Sequence, residues 1–484
     1  MSSDDDTSGF DATTAVPIVG GGPLPPTDQA GRQVLVRVFG SHQFFRLWLG
    51  QVVSSLGDWL GFFAITVLAA RIGKSSPEAA VGLVVGVRIL PGFFFASVAG
   101  VLVDRWDRRR VMISSDIARG LVLAALPFID TVWGLVVASF LLEIPTLLWS
   151  PAKEASVPNL VPPERLAAAN SLSLVAAYGT FPVASLLFAS LAKVADWLGG
   201  FDALEVLRVN QESVAIYVDV ATFFVSAMII STLTLPPHKR TFDRRMNFGE
   251  TFTDLKEGWR FIFINPVVRA VMVGLGTGLI GGGMLVPLGP IFVSDVLGAG
   301  PAGFGLLLTG LGTGVAAGIV LLSLFQQRLP HEQVFVAAVM GAGLSLLAGA
   351  SQGTLAVAVV FVALLGVCAG AVYILGFTIL HGAVEDELRG RIFSTLYTLV
   401  RLCLLIAFAL GPFLAGLLNS ISHAAFDNRI ELFGTTIELP GVRLTLWLAG
   451  AIILAAGVLA ALALRDRAGD EPPPTKSGET AVSA

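Results

Sequence analysis

Two helical stripes of polar residues carry the groups in this chain best suited to chemistry. Gln51, Ser54, Ser55 and Asp58 fall on one face of an otherwise apolar segment, because residues three, four and seven apart stack on a helix. Ser139, Glu143, Thr146 and Ser150 repeat the design. A carboxylate inside an apolar segment is costly and by default marks a function. Here it would bind a proton or a cationic, amphiphilic molecule. Arg88, Arg119 and Arg401 are the cations inside such segments. If consecutive segments run antiparallel, Asp58 and Arg88 reach comparable depth, so a structural ion pair is the alternative to a coupling role. Asp116 and Arg119, three apart, can satisfy each other. Glu143 has no cation at its own depth on a neighbouring segment, Arg119 being the nearest candidate. Asp219 falls near the end of its segment and reads as interfacial.

The elements that must position these groups follow from composition. Of 484 residues, 54% are hydrophobic and only 14% are charged, with a mean hydropathy of +0.78. A soluble chain carries roughly 25% charged residues. So much apolar surface must face lipid as well as a core. About 20 apolar residues cross the hydrocarbon as one helix, and such stretches recur. They predict twelve spans at 46–71, 79–103, 111–129, 132–150, 166–195, 213–235, 267–294, 302–325, 333–350, 353–380, 392–420 and 442–465. The Gly-rich span 267–294 invites a bend, and 166–195 and 392–420 are long enough to tilt.

Lys and Arg set the orientation. One side collects Arg105, Arg108, Arg109 and Arg110, then Lys239, Arg240, Arg244 and Arg245, then Arg389 and Arg391. The other holds only Arg71, Lys74, Lys193, Arg208, Arg429 and Arg443. Both termini are therefore expected in the cytoplasm. Residues 1–45, with the Asp4–Asp6 run and a Gly- and Pro-rich stretch, and residues 466–484 read as disordered tails. The bundle regions are 46–235 and 267–465. Between them, 236–266 is a charged cytoplasmic linker. In it Phe248, Phe252, Leu255, Trp259 and Ile262 form an amphipathic stripe suited to the membrane surface. The halves echo one another: VPPERLAAANS (161–171) precedes span five, and VEDELRGRIFS (384–394) precedes span eleven.

Other chemistry has no support. The net charge of -4 gives no pull toward nucleic acid, and no GxxxxGK[ST] loop serves a nucleotide. Cys368 and Cys403 lie in apolar segments without metal spacing, and the five histidines are scattered. No cofactor, metal or enzymatic activity is expected.

After span two the chain reads Gly100-Val101-Leu102-Val103-Asp104-Arg105-Trp106-Asp107-Arg108-Arg109-Arg110. This resembles the signature loop of the major facilitator superfamily, departing from it at Asp107, where the family has Gly. FRLWLGQVVSSLGDWL (45–60), PAKEASVPNLVPPERLAAANS (151–171), DLKEGWRFI (254–262) and ELRGRIFS (387–394) resemble its branch of macrolide, drug and enterobactin exporters. The resemblance implies an all-α fold of twelve transmembrane helices in two six-helix bundles. Spans one, four, seven and ten would line a central cavity, where Asp58, Glu143, Gln51, Arg88 and Tyr373 would meet protons and substrate. Gly100, Asp104, Arg105, Arg108 and Arg109 would form the gating loop, with Asp104 its latch against span eleven. The family's antiporter signature in span five survives only at Gly179 and Pro182, and Gly411-Pro412 in span eleven is the better copy. The expected function is proton-coupled efflux of an amphiphilic small molecule or drug by a monomer in contact with membrane lipid. A siderophore or lipid carrier not coupled to protons, and a non-transporting scaffold or receptor, are the alternatives.

Overall fold

The structure, a computed structural model, describes residues 37–74, 76–103, 105–199, 210–235, 260, 264–325, 329–383, 386–432 and 435–470. Its elements are helices α1 (His42–Ile72), α2 (Pro77–Val103), α3 (Arg108–Ala125), α4 (Val132–Ser156), α5 (Leu166–Tyr178), α6 (Phe181–Leu198), α7 (Ser213–Ser231), α8 (Pro266–Gly283), α9 (Leu285–Ile291), α10 (Pro301–Phe325), α11 (His331–Ala350), α12 (Leu355–Ala383), α13 (Asp386–Leu405), α14 (Gly411–Phe426) and α15 (Gly441–Asp470). A two-stranded antiparallel hairpin, β1 (Arg429–Leu432) and β2 (Thr435–Glu438), sits between α14 and α15. It is a short connection within an all-helical fold.

Local chemistry starts these helices. Ser41 caps α1 by accepting from the Phe44 amide at 3.0 Å. Asp107 caps α3 by accepting from the Arg110 amide at 2.8 Å. The family's Gly position is thus an Asp that begins the third helix. Asn265 accepts from the Val267 and Val268 amides, with Pro266 in the first turn of α8.

Among the described residues, eleven helices are long and apolar enough to cross a membrane. Most coincide with the expected spans to within a few residues; the fourth expected span runs nine residues further, to Asn159, the eleventh is shifted by six, to Thr398–Phe426, and α2 is the one left outside that set. Three spans are broken rather than straight. The span 166–195 splits into α5 and α6 at Gly179–Thr180, because Pro182 removes a donor and fixes the entry to the next turn. The span 267–294 breaks at Met284 after its glycine run. A π-turn at Ile406–Leu410 precedes Gly411-Pro412 in the span 392–420. Helix α1 begins inside the expected N-terminal tail, and α15 runs to Asp470, inside the expected C-terminal one. The amphipathic stripe of the linker, at 248–259 and Ile262, lies outside the described residues.

Helices up to Ser231 pack mainly on one another, and so do those from Pro266 onward. A seam joins the two sets near the end of the molecule that carries Ile72, here the far end. Gly305 of α10 lies against the Ala189 backbone of α6, and Thr309 Oγ1 donates to Ser185 Oγ at 3.2 Å. Gly82 and Gly86 of α2 meet Ala409 and Pro412. Phe62 faces Phe408 at 5.9 Å, and Phe63 and Phe188 meet Phe304 at 6.2 Å. At the opposite, near end, Phe44, Leu47, Val103, Met112, Trp149 and Leu160 form a separate apolar cluster.

Candidate functional site

Polar groups of α1, α3 and α7 converge on the Arg119–Asp116 pair. The Arg119 side chain is 2% exposed, and its guanidinium lies over Phe223 at 4.2 Å and Trp149 at 5.5 Å. Nη1 donates to both carboxylate oxygens of Asp58 at 3.2 Å. Nη2 donates to Asp116 and, at 3.3 Å, to Ser54 Oγ. Asp116 is fully buried and also accepts from Ser226 Oγ of α7 at 2.8 Å. The two carboxylates are therefore unequal. Asp116 is a resident counterion, fixed by its own helix and by α7. Asp58 is 36% exposed and shares only one nitrogen, so it is the more loosely held of the two.

The expected pairing of Asp58 with Arg88 does not form. Depth alone suggested it, but Arg88 leaves α2 toward Phe62, with its guanidinium 5.5 Å from that ring. Arg88 Nη1 is buried without a hydrogen-bond partner. Glu143, half-buried on α4, is within electrostatic reach of Arg88, Asp58 and Arg119. The stripe on α4 is only partly available: Ser139 is buried, and Thr146 Oγ1 donates back to Leu142 O at 2.9 Å.

Asp219 corrects the sequence reading. It is not interfacial but 1% exposed, and its carboxyl is pressed against Gly57 and Gly61 of α1. A methyl group on either glycine would overlap that carboxyl. The segment Gly57-Asp58-Trp59-Leu60-Gly61 is thus a small-xxx-small notch that lets α7 approach α1 closely. Its four-residue glycine spacing was the signal in the sequence. Asp58, Asp219, Arg88, Arg119 and Thr146 all line one internal cavity of about 10 Å3, room for about one water.

Gln51 is not in the cavity. It is 3% exposed, and its Nε2 donates to Ser173 O of α5 at 2.9 Å. Trp48 and Trp59 donate likewise to Leu172 O and Ala177 O. This ladder ties α1 to α5 just before the break at Gly179. Tyr373 is 51% exposed on α12, with its ring 4.7 Å from that of Phe377. Of the proposed gating loop, Gly100 lies in the last turns of α2, Arg105 in the turn that follows, and Asp104 outside the described residues. Arg108 Nη1 donates to Ala155 O at 2.7 Å, and Arg109 donates to Ser231 O. Both arginines thus serve the carboxyl ends of helices in their own set, α4 and α7.

Sequence comparison gives the family. A family model described as "Transmembrane secretion effector" matches residues 38–194, and one described as "Major Facilitator Superfamily" matches residues 271–484. The chain belongs to the major facilitator superfamily. It is 23% identical to macrolide efflux protein A of Streptococcus pyogenes over 388 residues, 77% of this chain and 89% of that one. It is 26% identical to a putative bacilysin exporter of Bacillus amyloliquefaciens, over 78% of this chain and 90% of that one. An uncharacterised MFS-type transporter of Bacillus subtilis is 27% identical, over 46% of this chain and 49% of its own length, so the match spans about half of that relative. Among solved structures, a bacterial homologue of the human lysosomal transporter Spinster, inward-facing and unoccupied, superposes with a TM-score of 0.67 at 16% identity, covering 90% of this chain and 99% of that one. A D-xylose–proton symporter gives 0.62 at 14% identity, covering 86% and 97%. At these identities the likeness is one of fold. The protein is a multi-pass membrane transporter of this superfamily with relatives named as efflux proteins.

Proposed function

We propose that this transporter exports an amphiphilic small molecule in exchange for protons, by alternating access. The observation that carries the reading is the unequal pair on Arg119. Protonating Asp58 frees it without leaving the guanidinium bare, because Asp116 stays in contact. That lowers the cost of a step otherwise heavily penalised: a buried cation stripped of its partner costs about 3–5 kcal/mol. Glu143 is the second proton-exchanging group, since it shares the field of Asp58 and both arginines. Arg88 and Tyr373 contribute the cationic and aromatic parts of the substrate surface.

The membrane layout belongs to the same reading. Helix α2 has 27 residues, enough at about 1.5 Å per residue to cross ~30 Å of hydrocarbon. It would be the twelfth span and complete two six-helix bundles, 46–235 and 267–465, joined by the linker 236–266. With both termini cytoplasmic by the charge bias, the seam at the far end would close the outside in the arrangement seen. The Asp104 loop then gates the cytoplasmic side in the opposite state. The working unit is a monomer. The relatives named for macrolide and bacilysin export favour efflux of drug-like molecules.

The test joins susceptibility to flux. Macrolides and other amphiphilic drugs are screened against deletion and overexpression strains, and the best responder is followed in liposomes under an imposed pH gradient. Wild type should drive uphill movement, and Asp58→Asn and Glu143→Gln should reduce it at least about tenfold, the loss of one charge-assisted interaction. Wild-type movement indifferent to the gradient would remove proton coupling.

A further inference from the structure

We infer that Asp219 is a further proton site of this cluster, beside Asp58 and Glu143, held as the neutral acid and connected to Asp58 through one internal water. The inference rests on the proton-coupling reading above and deepens it. Three observations carry it.

The first is isolation. Asp219 is 1% exposed, and its carboxyl lies on Gly57 and Gly61. Among the described residues no Lys or Arg nitrogen reaches salt-bridge distance of it, the nearby contacts of Arg119 being to Asp58 and Asp116. An ionised carboxylate without a contacting cation is among the most costly groups to bury. The second is hydrogen counting. Thr222 Oγ1 lies 2.7 Å from Asp219 O and 3.2 Å from Asp219 Oδ1. A hydroxyl has one hydrogen, which the shorter contact takes. The longer contact is then satisfied when Asp219 itself carries the hydrogen and donates to Thr222.

The third is the cavity. Asp58 and Asp219 line the same space, sized for one water, together with Arg88, Arg119 and Thr146. Arg88 Nη1 is a buried donor lacking an acceptor, and a water there supplies one. The charged groups within electrostatic reach of Asp219 are Asp58 of α1, Arg88 of α2 and Arg119 of α3; Asp116 and Glu143 act on Asp58 and Arg119 in turn. In the arrangement seen, the proton rests on Asp219 and Asp58 is ionised against Arg119. Moving it outward breaks the Asp219 O–H bond. The water accepts that proton and gives one of its own to Asp58, which then leaves Arg119 to Asp116. The reverse sequence reloads Asp219. One O–H bond forms for each that breaks, and no other reactant is needed.

The test uses the full chain in liposomes of phosphatidylethanolamine and phosphatidylglycerol. Infrared spectroscopy follows the C=O stretch of protonated carboxylic acids on transfer from H2O to D2O. Wild type should show such a band, and Asp219→Asn should lose it. Thr222→Val should keep the band but shift it, which identifies Asp219 even where Asp219→Asn fails to fold. Asp58→Asn should keep the band and slow its deuterium exchange about tenfold or more, one hydrogen-bonded link being cut. A band unchanged in both Asp219→Asn and Thr222→Val overturns the site. Exchange unchanged in Asp58→Asn overturns the water path. If the band is absent while Asp58→Asn still abolishes gradient-driven flux, the site falls and proton coupling stands. A band from Asp219 in a protein whose flux ignores the gradient removes the coupling instead.

Discussion

The two sets of helices differ in what accompanies close packing. In the set up to Ser231, the Gly57 and Gly61 notch between α1 and α7 is joined by charge: Asp58, Asp116, Arg119 and Ser226 form one hydrogen-bonded network across α1, α3 and α7. In the set from Pro266, the equivalent work is done by bare backbone. Gly310, Gly314 and Gly318 of α10 lie on the carbonyls of Val359, Ala363 and Val367 of α12, and Gly366 and Gly370 answer against Leu311 and Val315. Gly343 and Gly450 do the same between α11 and α15. A glycine seam is held by dispersion and has no charge state to change. A charged network has several. In the proposed mechanism the switching chemistry belongs to the first set, with the second as its firm counterpart.

Substitutions can break that contrast. The largest effect is expected for Arg119→Met, which leaves Asp116 buried without its cation and should cost about 3–5 kcal/mol in thermal or denaturant unfolding. Adding Asp116→Leu should recover most of that loss, because removing both charges is far cheaper than removing one. Next comes Gly314→Val in the second set. Its side chain would overlap the Ala363 carbonyl, an overpacking cost of about 1–3 kcal/mol or more. A smaller effect follows Gln51→Leu, which loses one hydrogen bond to α5, about 0.5–1.5 kcal/mol, and should leave substrate affinity unchanged. Tyr373→Leu is the mildest for folding, within about 0.5 kcal/mol. Its measurable consequence should be weaker binding of aromatic substrates in equilibrium assays.

The span boundaries were legible because apolar runs and their end signals are local. Val132 and Gly441 begin helices next to their predicted positions, and the basic loop after α2 marked the family. The site was legible in its members more than in its pairings. Depth along a helix can be counted from sequence, but the direction in which a side chain leaves it is set by neighbours. Arg88 thus matched Asp58 in depth yet turned to Phe62, while Arg119, from the third helix, took its place. Asp219 was misplaced for the same reason. Its position near a span end suggested water, whereas the Gly57 and Gly61 notch pulls its helix tight and buries it. Gln51 shares a face with Asp58 on a helical wheel, but α5 covers that part of α1.

In the proposed exchange, protonation of Asp58 releases it from Arg119. Two fluxes of the same labelled substrate in one set of liposomes test it: exchange at equal concentrations without a pH gradient, and uphill accumulation with one. Asp58→Asn should retain exchange while losing accumulation. Accumulation equal to wild type in that variant would contradict the assignment.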